Sequence, residues 1–469
     1  MLTEFQLNVG GYAYTGASNE AAYAHLMDSD LRSLNNNCMW GYYVSVSAEG
    51  MRVDERPNYW PINENKTRVV YREPLLGVGT ASRSDIATII ATVHKKCVVE
   101  QGFKVVLLVG DFQTFGHMVR WNKMNKTGNS WMCPVPGEWH WWVHSLMAIN
   151  QEWWDTNFSR LNAQDEFCEK GVEQKWDGVE KFNRYKFFHE TYIIAAMQYL
   201  TEIVPAFAMK SPSMLVETCK ENKGAMQCES YRIYQIVENN VNKLLTDVNI
   251  RLNSPGALAL VRYLHVAGLP WMHAHQATRS NNAAAIDAGW QQSLVWFRMT
   301  NKFHYQEMAV TYMCLRARMK PEVLAAWNKM RTLSFCGHMG SNVAWDKSVE
   351  NLNNEIVRMT APTGPTRMNL DNVVTKLVGI RYVEQNLLQS CFSFKKTKAS
   401  RSSNTEVTDI DTVVAFFKEQ IGADFDEFCE KRPNRLGTKD PDTVHNKWKK
   451  AQRKDELETW MRNVGNLVM

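Results

Sequence analysis

The sequence predicts an α/β fold: a mixed sheet core interrupted by a large helical insertion and followed by a small helical C-terminal region. Three observations predict it. Short strand-like runs gather before residue 140, an apolar run at Phe103–Gly110 ends on an acid, and the chain from Trp141 to about Lys329 has mostly helical spacing.

Taken in order, residues 1–38 are polar and mixed, with a short helical candidate at Ala21–Leu34. Tyr42–Ala48 has the period-two look of a strand and Thr67–Arg72 offers another, with the proline-punctuated loop Asp54–Pro61 between them. Ser84–Gln101 carries Ile86, Ile89, Ile90, Val93 and Cys97 at near-helical spacing, and Gly102 can stop that helix. Phe103–Gly110 is the best strand of the chain, expected to be central and covered on both faces. Asp111 stands at its carboxyl end, where open sheets place ligands. Phe112–Asn122 reads as a short helix, Trp131–Cys133 as a brief strand, and Pro134–His140 as a turn. Long helical patterns follow at Trp142–Trp154, Tyr185–Phe207, Ser230–Val248, Pro255–Ala267 and Gln291–Arg318, then Ser341–Met359 and Asn369–Leu388. The expected organisation is an N-terminal segment 1–38, the first part of the core 39–140, a helical insertion 141–329, and core-closing helices 330–390. A linker 391–407 and a basic helical region 408–469 complete it.

Composition bounds the function without naming it. The 469 residues are 45% hydrophobic and 22% charged, which is globular usage and argues against a mainly disordered or fibrous chain. No uninterrupted apolar run is long enough to span a bilayer, and Met1–Gly10 lacks the pattern of a secretory signal. A soluble protein, nuclear or otherwise intracellular and not secreted, is the expectation. Ten scattered cysteines with no C-x-x-C knuckle read as reduced thiols. The 17 tryptophans and 23 methionines are explained by large cores or cleft walls.

The order of elements is compatible with a ribonuclease-H-like core, in which carboxylates from separate elements hold two divalent ions for phosphoryl transfer. Asp111 is the strongest candidate acid, with helix capping as its ordinary alternative. Asp346 and Glu350 are four residues apart and can share a helix face. Glu138 and His140 follow two prolines and a glycine, in a turn that fixes the local backbone. These five are the catalytic candidates. Asp111, Glu350 and Asp346, with Glu49 or Asp54 as the missing first acid, are the candidate ligands for Mg2+ or Mn2+. His273 and His275 lack a completing Cys or acid and read as ordinary histidines. Basic residues gather late, at Lys395, Lys396, Lys398, Lys431, Arg432, Arg435, Lys447, Lys449, Lys450, Arg453 and Lys454, as a candidate nucleic-acid contact or a solvated face.

At Gly110–Phe115 (Gly-Asp-Phe-Gln-Thr-Phe) and Pro134–His140 (Pro-Val-Pro-Gly-Glu-Trp-His) the chain resembles the DUF6589 family of transposon-associated proteins. The similarity continues through Asp287–Trp290, Asn301–Tyr305 and Asp346–Asn353, and so spans roughly residues 70 to 360. Glu138 stands where the family motif usually has Asp. The resemblance implies a mobile-element protein, transposase-like, with a ribonuclease-H-like core interrupted by helices. The expected function is therefore a nuclease or transposase acting on DNA by two-metal chemistry. The alternatives are an inactive nucleic-acid-binding protein or a structural, protein-interaction module, either of them compatible with a homo-oligomer and without a membrane partner.

Overall fold

The computed structural model describes residues 82–125, 130–163, 172–176, 178–203, 253–333, 342–351, 403–430 and 435–451. Its first unit is the one the sequence marks most clearly. Helix α1 (Arg83–Val93) starts on a Ser82 side-chain cap, buries Ile86 and Ile90, and runs on as a π-helical turn, His94–Glu100. Strand β1 (Val106–Gly110), helix α2 (Phe112–Met124) and strand β2 (Met132–Pro136) then form a strand–helix–strand unit with the strands parallel, Val106 opposite Met132 and Gly110 opposite Pro136. Parallel strands need such a crossover, and α2 supplies it.

The expected ribonuclease-H-like mixed sheet is not what forms. Among the described residues the protein is predominantly helical, with two separate two-stranded sheets. Part of the reason lies in β2 itself. Val106 N–H donates to the Trp131 carbonyl and Gly137 N–H to the Gly110 carbonyl, so the odd-numbered residues of β2 face β1. Pro134 and Pro136 therefore fall on the outer edge, where they have no N–H to offer a further strand. The strand candidates at 42–48 and 67–72 lie outside the described residues.

Most of the apolar surface is buried by helices. Helix α3 (Glu138–Trp153) leaves β2 through Gly137 and ends in a π-helical turn, Trp154–Phe158. Helix α4 (Phe182–Ile203) follows, then α5 (Pro255–Tyr263) with its own π-helical turn, Leu264–Gly268. Helices α6 (Leu269–Ser280), α7 (Ala283–Met299), α8 (Phe303–Arg318) and α9 (Pro321–Met330) complete the middle. The single helix expected at Gln291–Arg318 is two, because Asn301 takes a left-handed conformation (φ 54°) between Met299 and Phe303. Asn tolerates that region better than most residues, so it ends one helix and lets the next leave at a new angle.

After α9, the short strands β3 (Thr332–Leu333) and β4 (Val343–Ala344) pair antiparallel, Thr332 opposite Ala344, and lead into the helical segment 345–351. Helices α10 (Ser403–Gln420), α11 (Phe425–Cys429) and α12 (Pro441–Ala451) do not stand apart. Val413, Phe416, Phe417, Phe428 and Val444 belong to the same hydrophobic core as Trp141, Trp142, Trp271, Trp290 and Trp296. Among the described residues, no helix is long and apolar enough to cross a membrane.

The tryptophans set the tolerances of that core. Trp141 stacks on Trp290 at 3.9 Å between ring centroids, and α7 passes close to α6 and α3 at Gly289. A Cβ there would sit 2.4 Å from the Ala274 methyl and 2.7 Å from the Trp142 ring. Gly289→Ala is thus expected to destabilise the protein by about 1–3 kcal/mol through overpacking, seen in urea denaturation as a lower midpoint with an unchanged slope.

Candidate functional site

Two adjoining polar centres sit where α3 begins, one buried and one open. The buried centre is an ion network. Arg331, fully buried just before β3, donates from Nε to Glu138 at 2.5 Å, and from Nη1 to Asp287 at 2.5 Å and to the Ala283 carbonyl at 3.2 Å. Trp290 Nε1 donates to the other Glu138 oxygen at 2.7 Å, and Arg316 pairs with the other Asp287 oxygen. Two carboxylates thus meet two guanidiniums, and the aromatic faces of Tyr312 and Trp327 lie 5.5 and 5.8 Å from the Arg331 carbon. Burial opposes the charge on Arg331, but Asp287 and Glu138 outweigh it and raise its pKa, so the cation is permanent. Burial likewise pushes Glu138 up, against the pull of Arg331.

The open centre is a histidine–aspartate pair. Asp346, 206 residues along the chain from His140, reaches back to the start of α3. Its Oδ1 accepts from Trp139 N–H at 3.0 Å, and its Oδ2 accepts from His140 N–H at 2.9 Å and lies 3.0 Å from His140 Nδ1. It serves as the N-terminal cap that α3 lacks locally, since Gly137 has no side chain with which to cap. Gly137 is required for this approach. A Cβ there would fall 2.5 Å from the Asp346 carboxylate.

His140 is partly open, its side chain 23% exposed against 6% for Asp346. Burial works against charge on this ring, but the Asp346 hydrogen bond and the charges of Asp346, Asp111 and Glu350 outweigh it and raise its pKa above 6.5. One turn along α3, His144 behaves oppositely. Burial, with Lys302 and His140 adding to it, pulls His144 down to about 3, and its ring stacks on Tyr305 at 4.0 Å. Tyr305 also meets Phe112, next to Asp111, whose charge together with burial raises the tyrosine's pKa. Lys302, its own pKa lowered by burial, and Lys347, 4.0 Å over the Trp139 ring, complete the charged surroundings.

The structure therefore brings Asp111, His140, Asp346 and Glu350 into one neighbourhood, with Asp111 and Asp346 engaged as hydrogen-bond acceptors. Both oxygens of Asp346 are occupied by N–H donors, and Asp111 Oδ1 accepts from Thr114 N–H at 2.8 Å as the cap of α2. Among the described residues no group of three or more His, Cys, Asp or Glu side chains is arranged to hold a metal ion. The expectation of a ribonuclease-H-like nuclease using Mg2+ or Mn2+ on DNA is corrected on both counts, fold and acids. Glu138 lies inside, bound to Arg331 and Trp290, and Glu49 and Asp54 fall outside the described residues. His275 packs flat on Trp271 and is held neutral by burial.

Among the described residues of the basic C-terminal region, some of the charge is paired within the chain. Lys447 pairs with Glu152 at 2.9 Å and Lys439 with Asp155 at 2.6 Å, both at the carboxyl end of α3, where the helix dipole also favours cations. Arg435 reaches Asp440 at 4.0 Å, and Lys449 and Lys450 are exposed on α12. Lys395, Lys396, Lys398, Lys431, Arg432, Arg453 and Lys454 lie outside the described residues.

Sequence reasoning missed Arg331, Arg316, His144 and Tyr305. The i, i+4 spacing of His140 and His144 was the available signal for one of them. No local pattern marks Arg331.

Asp346→Asn keeps the shape and removes the charge. It is expected to bring the His140 pKa down, read from the pH dependence of the ring proton shifts, and to cost on the order of 1–3 kcal/mol. Because the folded-state pKa of His140 is raised, its contribution to stability is fully present below about pH 6.5 and is lost as pH rises through the folded value. The stability gap between wild type and Asp346→Asn should narrow across that window. Comparison with family models, curated proteins and solved structures found no match for this chain.

Proposed function

We propose that this helical protein works through the His140–Asp346 pair as a metal-independent proton-transfer centre, with His140 as the general acid. One observation carries the reading. A carboxylate fixed by two backbone N–H groups holds one nitrogen of a partly exposed imidazole and leaves Nε2 as the ring's open position. That is the arrangement by which a buried acid sets the tautomer and orientation of a histidine and stabilises its charged form.

The chain's own groups divide the work. Asp346 orients the ring, and with Asp111 and Glu350 it favours the imidazolium, whose Nε2 proton can be given to a developing anion on a substrate. His144, neutral and stacked on Tyr305, forms an uncharged wall one turn away. Asp111 and Glu350 together with Lys302 and Lys347 make surroundings of mixed charge, which fit a neutral substrate whose leaving oxygen or nitrogen takes up a proton.

We also propose that the chain is a member of the DUF6589 family. What supports this is that the segments carrying the resemblance form one contact unit. Asp111 precedes α2, Glu138 and His140 open α3, Asp287 and Trp290 face Glu138 through Arg331 or directly, Tyr305 meets Phe112 and His144, and Asp346 caps α3.

The testing experiment is a screen of neutral ester, amide and glycoside substrates in the presence of a chelator, with wild type, His140→Gln and Asp346→Asn. Turnover that persists in chelator and falls about 10²–10⁴-fold in His140→Gln is expected, with an alkaline limb set by the raised His140 pKa. Turnover that needs added metal, or that His140→Gln leaves unchanged, overturns the reading. So does the absence of turnover together with an ordinary His140 titration.

A further inference from the structure

We propose that the buried Arg331 is the positioning residue that holds His140 and Asp346 in register. The inference rests on the reading of His140 as the proton-transfer group. Its basis is a closed circuit of contacts. On one side, the Arg331 fork grips Glu138, the first residue of α3 and two before His140. On the other, Arg331 immediately precedes β3, whose Thr332 pairs with Ala344, two residues before Asp346. The same guanidinium therefore fixes the strand that delivers the acid and the helix that delivers the imidazole.

Neighbouring contacts tighten the circuit without replacing it. Asn281 Oδ1 accepts from both Thr332 N–H and Thr332 Oγ1, and Asn281 Nδ2 donates to the Asn328 and Lys329 carbonyls at the end of α9. Asn342 Nδ2 donates to Thr332 Oγ1, and Trp345 Nε1 to the Met330 carbonyl. Together these tie the hairpin to the ends of α6 and α9. The side-chain bonds of Arg331 and Trp290 to Glu138 tie this region to the first residue of α3. Only a planar fork serves two carboxylates on different helices at once, so lysine cannot take over both contacts.

A residue that merely stabilised the fold would lower the melting temperature and leave the folded-state titration of His140 where it was. The test is therefore the His140 pKa, read from ring proton shifts in the folded protein. It compares wild type with Arg331→Lys, the charge-paired double variant Glu138→Gln/Arg331→Met, and Val413→Ala, a destabilised control in the distant α10 region of the core. The expected result is a downward shift of about half a unit or more in both network variants, as the 3.0 Å contact to Asp346 loosens, with Val413→Ala unchanged. The double variant removes both buried charges of one pair and so remains foldable where Arg331→Lys fails. A His140 pKa that is raised in wild type and unmoved in the folded network variants overturns the positioning role alone. An ordinary His140 pKa in wild type overturns this inference together with the reading on which it rests.

Discussion

Arg331 has no access to water, so its charge exists only because two carboxylates come to meet it, and they come from different parts of the chain. The cost of taking such a cation out of water is several kcal/mol, and only close, well-oriented partners offset it. Glu138 at the start of α3 and Asp287 on α7 supply them, and Arg316 on α8 neutralises the remaining charge on Asp287. Four elements are thereby obliged to converge on one point: α3, α7, α8 and the turn into β3. Trp290 and Tyr312 pack around it, and Trp290 stacks on Trp141, so the ion network and the tryptophan core share side chains. Loss of any one partner would strand a buried charge, which is why the network specifies where the elements sit as well as how firmly they hold.

The helical periodicity of the sequence was legible because burial along one face forces it. Ser84–Gln101, Phe112–Asn122, Tyr185–Phe207 and Pro255–Ala267 match observed helical stretches to within a few residues at most described ends. The apolar run at 103–110 also became a strand, shortened to Val106–Gly110. What the pattern could not convey was the number of neighbours that strand would have. A continuous apolar run suits a central strand of a large sheet, yet here β1 is only partly buried along most of its length, its described partner is the proline-bearing β2, and its covering comes from helices. The break at Asn301 was hidden for a different reason. Apolar spacing continues on both sides of Thr300–Lys302, and only the backbone angle of one asparagine separates α7 from α8.

Candidate residues were legible one by one, while the donors each would meet were not. Asp111, Asp346 and Glu350 do lie close enough to His140 for their charges to favour its imidazolium. A carboxylate at a strand end looks the same in sequence whether it binds a cation or caps a helix, and the difference lies in which N–H groups are left without partners. Both α2 and α3 begin here, and their first turns present those donors. Asp111 and Asp346 satisfy them by accepting from Thr114, Trp139 and His140 N–H. The basic tail shows the same limit. Composition reveals a positive excess near the end of the chain, but the anions that take up Lys439 and Lys447 lie nearly 300 residues earlier, at Asp155 and Glu152.

Helix geometry explains why one short segment serves both centres. At 100° per residue, positions two apart on α3 point about 200° from each other, so a helix that sends Glu138 inward must send His140 outward. Trp139, between them, lies against His140 and Phe182 and keeps the first turn from rolling. His144, four residues on, returns to the face of His140 and is neutral because that face is already closing toward Tyr305. The inward acid is thus committed to a permanent cation, while the outward ring answers to Asp346, Asp111 and Glu350. Separation of a fixed charge pair from a titrating one, across a single helical turn, allows the open centre to change protonation without disturbing the buried centre that holds it in place.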